Sequence, residues 1–287
     1  MLIVDMSFRT KEAVLKLNAD DYTTPLPSFA NMNISVLTSI LKKRPLDERG
    51  TQNDEDFEDY FDVQRIVVLE GLALQFASDN LRGEREIVEP AVRQNGLALQ
   101  FASDAFKKDG WIVIDAMKQN FQALKYAADE LKSDRHFILK AIHYVPHAGV
   151  LQYAADELKS DRDFMLNILN ATSGNARVLQ YAADELKSDR DFMLTAIHDT
   201  NEEVMQYADD KFKSDRDFMF HVINEFDDIG VGVLQYADDE LKSDRDFMLT
   251  FIIKYGVVDV LQYAVDDLTS DGNFMLNAIH VENEASP

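Results

Sequence analysis

Apolar and polar residues recur in the same order eight times along this chain, in a block of 19 residues that reads close to LQYAADELKSDRDFMLxxI. Each block opens on a leucine or methionine, which we number position 0, and successive blocks start 25 to 29 residues apart. Repeats 1 to 8 begin at Leu74, Leu99, Leu124, Leu151, Leu179, Met205, Leu234 and Leu261. Repetition at this period is typical of stacked helical units rather than of one globular core.

The first half of each block has the apolar spacing of an amphipathic helix. Position 0 is Leu or Met, position 3 is Ala and position 7 is Leu or Phe, with an aromatic residue at position 2. In repeat 4 these residues are Leu151, Ala154, Leu158 and Tyr153. Because a helix turns about 100° per residue, positions 0, 3 and 7 share one stripe. The pattern predicts an α-helix of about ten residues, with the small alanine allowing a second helix to approach closely.

A second helix is predicted to begin at the serine of position 9, which six copies share. The segment Ser160–Asp163 resembles a capping box, in which the serine side chain accepts a hydrogen bond from a free backbone amide. The same S-D-x-D pattern also resembles a metal or phosphorylation motif, but capping accounts for its position and composition. Apolar residues follow at positions 13, 14, 17 and 18, so we expect this helix to be covered on more than one side.

These patterns predict an all-α protein, an α-solenoid of short helical hairpin repeats of 25–29 residues. Residues 1–53 do not match the repeat and form a separate segment, for which capping of the open end of the array is one role. The array occupies residues 54–287, and residues 54–70 read as a half repeat that precedes the eight copies. The variation in spacing falls in the connection to the next copy, where loops tolerate changes in length.

Position 5 is aspartate in every copy, although an ordinary solvated face would vary. Two explanations stand. One is a structural hydrogen bond to a neighbouring helix end or to an arginine such as Arg162 or Arg190, which we favour. The other is a ladder of carboxylates that contacts a partner or a cation. The lone tryptophan replaces an acidic residue and marks either a contact point or, as we favour, core or cap packing. The candidate binding residues are Asp129, Gln152, Asp156, Gln180, Asp184, Asp210, Asp239 and Trp111.

Charge narrows the classes of partner. The chain carries 29 basic and 52 acidic side chains, a formal net charge of −23 at pH 7. Such a field repels phosphate backbones and anionic lipid, so we expect neither nucleic acid nor a membrane surface as a partner. A protein with a basic surface is the favoured partner, while acidity that only maintains solubility is the alternative.

Candidate chemistry is sparse. The six histidines occur at different repeat positions and share no metal spacing, and the glycines at 230 and 232 lack the strand of a nucleotide-binding loop. We therefore expect no catalytic residues, no metal and no cofactor. The chain has no cysteine, no apolar run of membrane-spanning length and no basic start of a signal peptide. A cytoplasmic location is the expectation.

Three stretches carry a family resemblance: GLALQFASD from Gly71, AVRQNGLAL from Ala91 and the recurring LxYAADELKSD core. They resemble the tandem repeat family catalogued as domain of unknown function forty-one sixteen, over about residues 54–287. Members of that family in protists, large viruses and effectors of intracellular bacteria imply an interaction module that is cytosolic or secreted into a host cytosol. The resemblance supplies no catalytic residues. The later copies depart from it by losing Gln-Asn-Gly and lengthening their loops.

Two functions follow from these observations. The favoured one is a non-catalytic protein–protein interaction scaffold, with action as a secreted effector in a host cell as the role that the resemblance implies. The alternative is an enzyme or modifier whose activity lies in residues 1–53 or in a site completed by a partner. A broad groove would favour the scaffold, whereas a concave pocket with convergent polar groups would favour the enzyme.

Overall fold

The computed structural model describes residues 63–64, 66–225 and 230–285, and across these residues all regular structure is helical. Contacts divide the chain into two units, Met1–Lys132 and Ser133–Pro287. Within each unit, successive repeats stack against one another, as an α-solenoid requires. The segment 1–53 and the cap predicted there lie outside the described residues.

Each repeat contains three helical segments where the sequence predicted two. The first is a 3₁₀-helix that ends at position 2 in seven repeats: Gly71–Phe76, Gly96–Phe101, Phe121–Tyr126, Ala148–Tyr153, Ala176–Tyr181, Glu202–Tyr207 and Gly230–Tyr236. Repeat 8 has the α-helix Val257–Leu261 in its place. The second is a short α-helix: Asp104–Lys107, Asp129–Lys132, Asp156–Lys159, Asp184–Lys187, Asp210–Ser214, Asp239–Ser243 and Asp266–Thr269, with the 3₁₀-helix Leu81–Gly83 in repeat 1. The third is the long helix: Arg85–Gln94, Gly110–Gln119, Arg135–Tyr144, Arg162–Ala171, Arg190–Asp199, Arg216–Glu225, Arg245–Tyr255 and Gly272–Ala285.

The predicted ten-residue first helix is wrong because the backbone turns extended at positions 3 and 4. In repeat 5 the N–H of Ala182 donates to the carbonyl of Leu179 over 3.1 Å, closing the 3₁₀-helix. The N–H of Ala183 donates instead to the carbonyl of Lys159 in repeat 4 over 3.0 Å. A hydrogen bond between repeats thus takes the amide that would have continued the helix. The apolar stripe survives the break, since positions 0, 3 and 7 are buried in repeat 5.

The long helix begins two residues later than predicted, and its cap is an aspartate. Asp161 has extended backbone angles, and its carboxylate accepts from the N–H of Phe164 over 2.8 Å. Ser160 directly follows the short helix Asp156–Lys159 as its C-cap, and its hydroxyl donates to the carbonyl of Asp156 over 3.0 Å. The predicted serine cap is therefore wrong, because the serine backbone is still helical where a cap must be extended.

The core follows the predicted positions of the long helix. Phe164, Met165, Ile168 and Leu169 are buried, and their counterparts in repeats 5 to 7 are buried as well. Burial of each such side chain contributes about 1.5–3 kcal/mol relative to exposure. The predicted contribution of positions 13, 14, 17 and 18 to the core is confirmed.

The Gln-Asn-Gly sequence of the early copies holds the start of a 3₁₀-helix against a neighbouring long helix. The side chain of Gln94 accepts from the N–H of Gly71 over 2.7 Å, and that of Asn95 accepts from the N–H of Leu97 over 3.1 Å. A Cβ atom on Gly96 would lie 2.1 Å from the carbonyl oxygen of Ala116, so no larger residue fits there. This close approach accounts for the glycine of the motif.

Candidate functional site

The position-5 aspartates begin the short helices and point into solvent. In repeat 4 the Asp156 side chain is 94% exposed and pairs with Lys159 over 3.0 Å. The same pairing, three residues apart, joins Asp184 to Lys187 over 3.3 Å. The predicted hydrogen bond from position 5 to Arg162 or Arg190 is wrong, since both arginines contact other aspartates.

The aspartate at position 5 pairs with the cation at position 8 of the same repeat. Lys159 reaches the carbonyl of Gln152 at 3.5 Å as well as the carboxylate of Asp156, so it joins the end of the 3₁₀-helix to the start of the short helix. Lys242 makes the corresponding bond to the carbonyl of Gln235 over 2.9 Å. Pairs this exposed contribute at most about 0.5 kcal/mol each, so they orient the aspartate without holding the fold together.

Within each unit, successive short helices place these carboxylates in a row, and we call these residues the acidic ridge. It consists of position 5 with the residue that follows it, which is acidic in five copies. In the unit that ends at Lys132 the ridge contains Asp79, Asp104, Asp129 and Glu130, and in the unit that begins at Ser133 it contains Asp156, Glu157, Asp184, Glu185, Asp210, Asp239, Glu240, Asp266 and Asp267. All of these side chains are exposed.

A depression lies between repeats 4 and 5 along the ridge. Its charged and polar lining consists of Asp156, Lys159, Ser160, Tyr181, Asp184 and Glu185. It is shallow and open to solvent, with acidic groups on both sides and one half-buried aromatic ring. Such a notch can accept a cationic side chain, because carboxylates and a tyrosine ring both attract positive charge.

A second row of aspartates, at position 10, joins neighbouring repeats. The carboxylate of Asp161 accepts from the N–H of Phe164 with one oxygen and from Arg135 of the preceding repeat with the other, each over 2.8 Å. The Arg135 guanidinium also lies 5.5 Å from the centre of the Phe164 ring. We call these residues the seam aspartates, and they pair as Asp109 with Arg85, Asp161 with Arg135, Asp189 with Arg162, Asp215 with Arg190, Asp244 with Arg216, and Asp271 with Arg245.

One family model matches the chain, described as Domain of unknown function (DUF4116), over residues 63–107, 112–148, 134–176 and 231–268. These matches together cover slightly more than half of the chain. The chain belongs to this family. No curated protein and no solved structure matched it. The predicted resemblance is thereby confirmed, and in this protein the DUF4116 repeat consists of three helical segments.

The seams of the DUF4116 repeats have a measurable electrostatic consequence. The N–H of Phe192 and the guanidinium of Arg162 hold the pKa of Asp189 below its ordinary value. The N–H of Phe274 and the side chain of Arg245 do the same for the pKa of Asp271. The ionised form of each carboxylate is therefore stabilised by an amide of its own repeat and by an arginine of the preceding repeat, and only the second contact requires the repeats to be stacked.

The remaining candidate residues of the DUF4116 array have individual surroundings. The side chain of Gln180 donates to the carbonyl of Arg177 over 2.9 Å, so it closes its own 3₁₀-helix, while Gln152 is exposed on the corresponding turn. Trp111 is 54% exposed in the first turn of its helix, so its expected packing in the core is wrong, while packing against a helix cap stays a prediction. Of the other candidates, only Asp129 shares the unit of Trp111.

Sequence reasoning about the DUF4116 repeat missed two sets of residues. The seam aspartates were visible as an Asp-Arg pair that recurs in five copies, but both residues were read as parts of a serine cap. The caps of the 3₁₀-helices lie at position −4, outside the 19-residue block, and are Asn95, Asn120, His147, Asn175 and Asn201. Asparagine four residues before position 0 was the signal for them.

Metal-ligand clusters and membrane-spanning helices are two further features that bear on function. No group of three or more His, Cys, Asp or Glu side chains in the described part of the chain could together hold a metal ion. Nor does any helix there have the length and apolar content needed to cross a membrane.

Proposed function

We propose that this protein is a non-catalytic scaffold that binds a basic segment of another protein along its acidic ridge. One observation carries the proposal. The position-5 aspartates recur in every copy, yet their side chains face solvent, and in six copies they pair with the cation at position 8 of the same repeat. The seam aspartates, by contrast, already have two partners each.

Charge and spacing support a cationic, extended ligand. Net acidity attracts basic segments and accelerates their encounter with the surface. The depression between repeats 4 and 5 is lined by ridge carboxylates from both repeats. Because other short helices carry the same carboxylates, successive Lys or Arg side chains of an extended ligand would meet comparable groups at successive repeats. Many weak contacts of this kind give affinity through multivalency rather than through one deep pocket.

The enzyme alternative receives no support from the depression, which is shallow and lacks convergent polar groups in differing environments. That alternative places the activity in residues 1–53, which lie outside the described residues, or in a site completed by a partner, and it stays a prediction. Action as an effector in a host cytosol rests on the family resemblance alone and also stays a prediction.

The test is titration with a fluorescent peptide of lysine, arginine and glycine that contains no apolar residue. The double variant Asp156→Asn/Asp184→Asn removes two ridge charges, and Asp163→Asn/Asp191→Asn removes two exposed charges of the long helices as a matched control. We expect the ridge variant to weaken binding about tenfold at low salt and to reduce its salt dependence, while the control retains most of the affinity. Equal weakening by both variants would show that only total charge matters.

A further inference from the structure

Position 2 carries an aromatic ring that is half-buried in every repeat. It is Phe in repeats 1 and 2 and Tyr in the six repeats that follow. The leucine or methionine at position 0, two residues earlier, is fully buried in repeats 1 to 7, whereas all eight rings keep intermediate exposure. A tyrosine in this setting packs one part of its ring on the protein and leaves the rest accessible to a ligand.

In repeat 5 this ring lines the notch between repeats 4 and 5. The notch has a volume of about 300 Å³, which lies at the lower limit for small-molecule sites, so it suits a single side chain. Tyr181 shares the lining with Asp156 of repeat 4 and with Asp184 and Glu185 of repeat 5. Carboxylates from two repeats and one aromatic ring therefore border the same small space.

The chain itself places a cation against a position-2 ring. In repeat 3 the Nζ atom of Lys125, at position 1, lies 5.9 Å from the centre of the Tyr126 ring. Position 1 is glutamine in the other seven copies. In repeat 5 the side chain of this glutamine, Gln180, donates to the carbonyl of Arg177. Repeat 5 therefore has a position-2 ring of the same kind but no cation of its own at position 1 to occupy it.

The seams show which cation this chain uses where a ring and a carboxylate occur together. Arg135 pairs with Asp161 over 2.8 Å and lies 5.5 Å from the centre of the Phe164 ring. The same arrangement places Arg85 over Phe106, Arg162 over Phe192, Arg190 over Phe218, Arg216 over Phe247 and Arg245 over Phe274. In each seam the ring and the aspartate are three residues apart in one repeat, as Tyr181 and Asp184 are in the notch.

The shape of the cation explains why arginine fits such a pair of groups better than lysine. A guanidinium is planar, so its face can stack on a ring while the N–H groups at its edge donate to a carboxylate. A lysine ammonium is a compact and strongly hydrated charge, which gains less from a ring beside the carboxylate. A side chain that uses both groups of the notch is therefore an arginine.

We propose that the notch between repeats 4 and 5 is specific for arginine, and that Tyr181 determines the preference over lysine. The inference rests on the scaffold proposal and deepens it, because it makes the basic segment bound along the acidic ridge an arginine-rich one. From repeat 3 onwards every copy has a tyrosine three residues before the ridge aspartate. Successive arginines of an extended ligand would thus find a ring and a carboxylate in successive repeats.

The experiment compares two fluorescent peptides of equal length and charge on the full chain, one of arginine and glycine and the other of lysine and glycine. We expect the wild-type chain to bind the arginine peptide at least about tenfold more tightly. Tyr181→Leu should weaken binding of the arginine peptide about threefold more than binding of the lysine peptide, because it removes one ring. Tyr181→Phe keeps the ring, has the residue of repeats 1 and 2, and should leave both dissociation constants unchanged.

The outcomes separate this inference from the scaffold proposal. Equal affinity of the two peptides for the wild-type chain would overturn the arginine preference and leave the scaffold standing, and this comparison needs no variant to fold. Equal weakening of both peptides by Tyr181→Leu would also overturn it, because the ring would then support the ridge rather than contact the ligand. The ridge variant Asp156→Asn/Asp184→Asn should weaken both peptides. Failure of the wild-type chain to bind either peptide would overturn the two proposals together.

Discussion

Asp161 and Asp156 belong to the same repeat and to two equally regular rows, yet their surroundings are opposite. The Asp161 carboxylate accepts hydrogen bonds from a helix amide and from an arginine of the preceding repeat, so it joins two neighbouring repeats. Asp156 faces solvent and contacts only the lysine one turn along its own short helix. Recurrence inside an array therefore does not by itself separate stability from binding. The partner that each carboxylate reaches does.

The largest expected loss of stability comes from removing a core side chain that packs at the seam between two repeats. Phe164 is fully buried beneath Arg135, and its N–H bonds to Asp161. We expect Phe164→Ala to lower the free energy of unfolding by about 3–5 kcal/mol, through lost burial and the cavity left behind. Urea denaturation measures this loss. Asn167→Ala on the exposed side of the same helix should cost less than about 1 kcal/mol, and a similar loss in both variants would contradict the described packing.

The next effect concerns the seam aspartate itself. Asp161→Ala removes a helix cap and leaves Arg135 without its carboxylate, so we expect a loss of about 1–2 kcal/mol. Thermal and urea unfolding would both report it. Asp163→Ala changes the same charge at an exposed position of the same helix and serves as the control. Equal stabilities of the two variants would mean that the seam pair contributes nothing.

A third effect depends on pH. Because the folded pKa of Asp189 lies below the unfolded value of about 3.9, its ionised form stabilises the fold above that value. This contribution is lost as the pH falls through the lower folded pKa. The stability difference between wild type and Asp189→Asn should therefore be present at pH 7 and shrink towards pH 3. A difference that is independent of pH would place the effect of the substitution elsewhere.

A smaller effect is expected at the serine of position 9. The hydroxyl of Ser160 donates to the carbonyl of Asp156 at the start of the short helix, in an exposed bond, rather than capping the long helix. We expect Ser160→Ala to cost less than about 0.5 kcal/mol, whereas removal of a serine cap would cost about 1 kcal/mol. Calorimetry of the two chains under one buffer condition distinguishes these values.

The smallest effect belongs to the ridge. Asp156→Asn breaks only an exposed pair with Lys159, so the free energy of unfolding should change by less than about 0.5 kcal/mol. Matched urea titrations of wild type and variant provide the measurement. A loss above 1 kcal/mol would restore the structural explanation of position 5 and remove the observation on which the scaffold proposal depends.

Burial was predictable from the sequence, whereas helix boundaries were not. The apolar period identified Phe164 and Met165 as core residues because packing follows that period directly. The break after position 2 was hidden, since it depends on the bond from Ala183 to Lys159 of another repeat. Local spacing cannot reveal a partner that stacking brings close.

The contacts of the candidate sites were likewise only partly predictable from the sequence. The local pair of Asp156 with Lys159 could have been predicted from their spacing of one turn. The pairing of Asp161 with Arg135 could not, because the two residues lie 26 positions apart and only the stacking of repeats brings them together.

The bond between position 4 and the preceding repeat has a consequence for hydrogen exchange. In the unit that begins at Ser133, the amides of Ala183, Asp209 and Asp238 donate to the carbonyls of Lys159, Lys187 and Lys213. Each of these amides precedes a short helix and bonds to no residue of its own repeat. Its exchange with solvent deuterium should therefore report the separation of two neighbouring repeats, independently of fraying in the helices on either side.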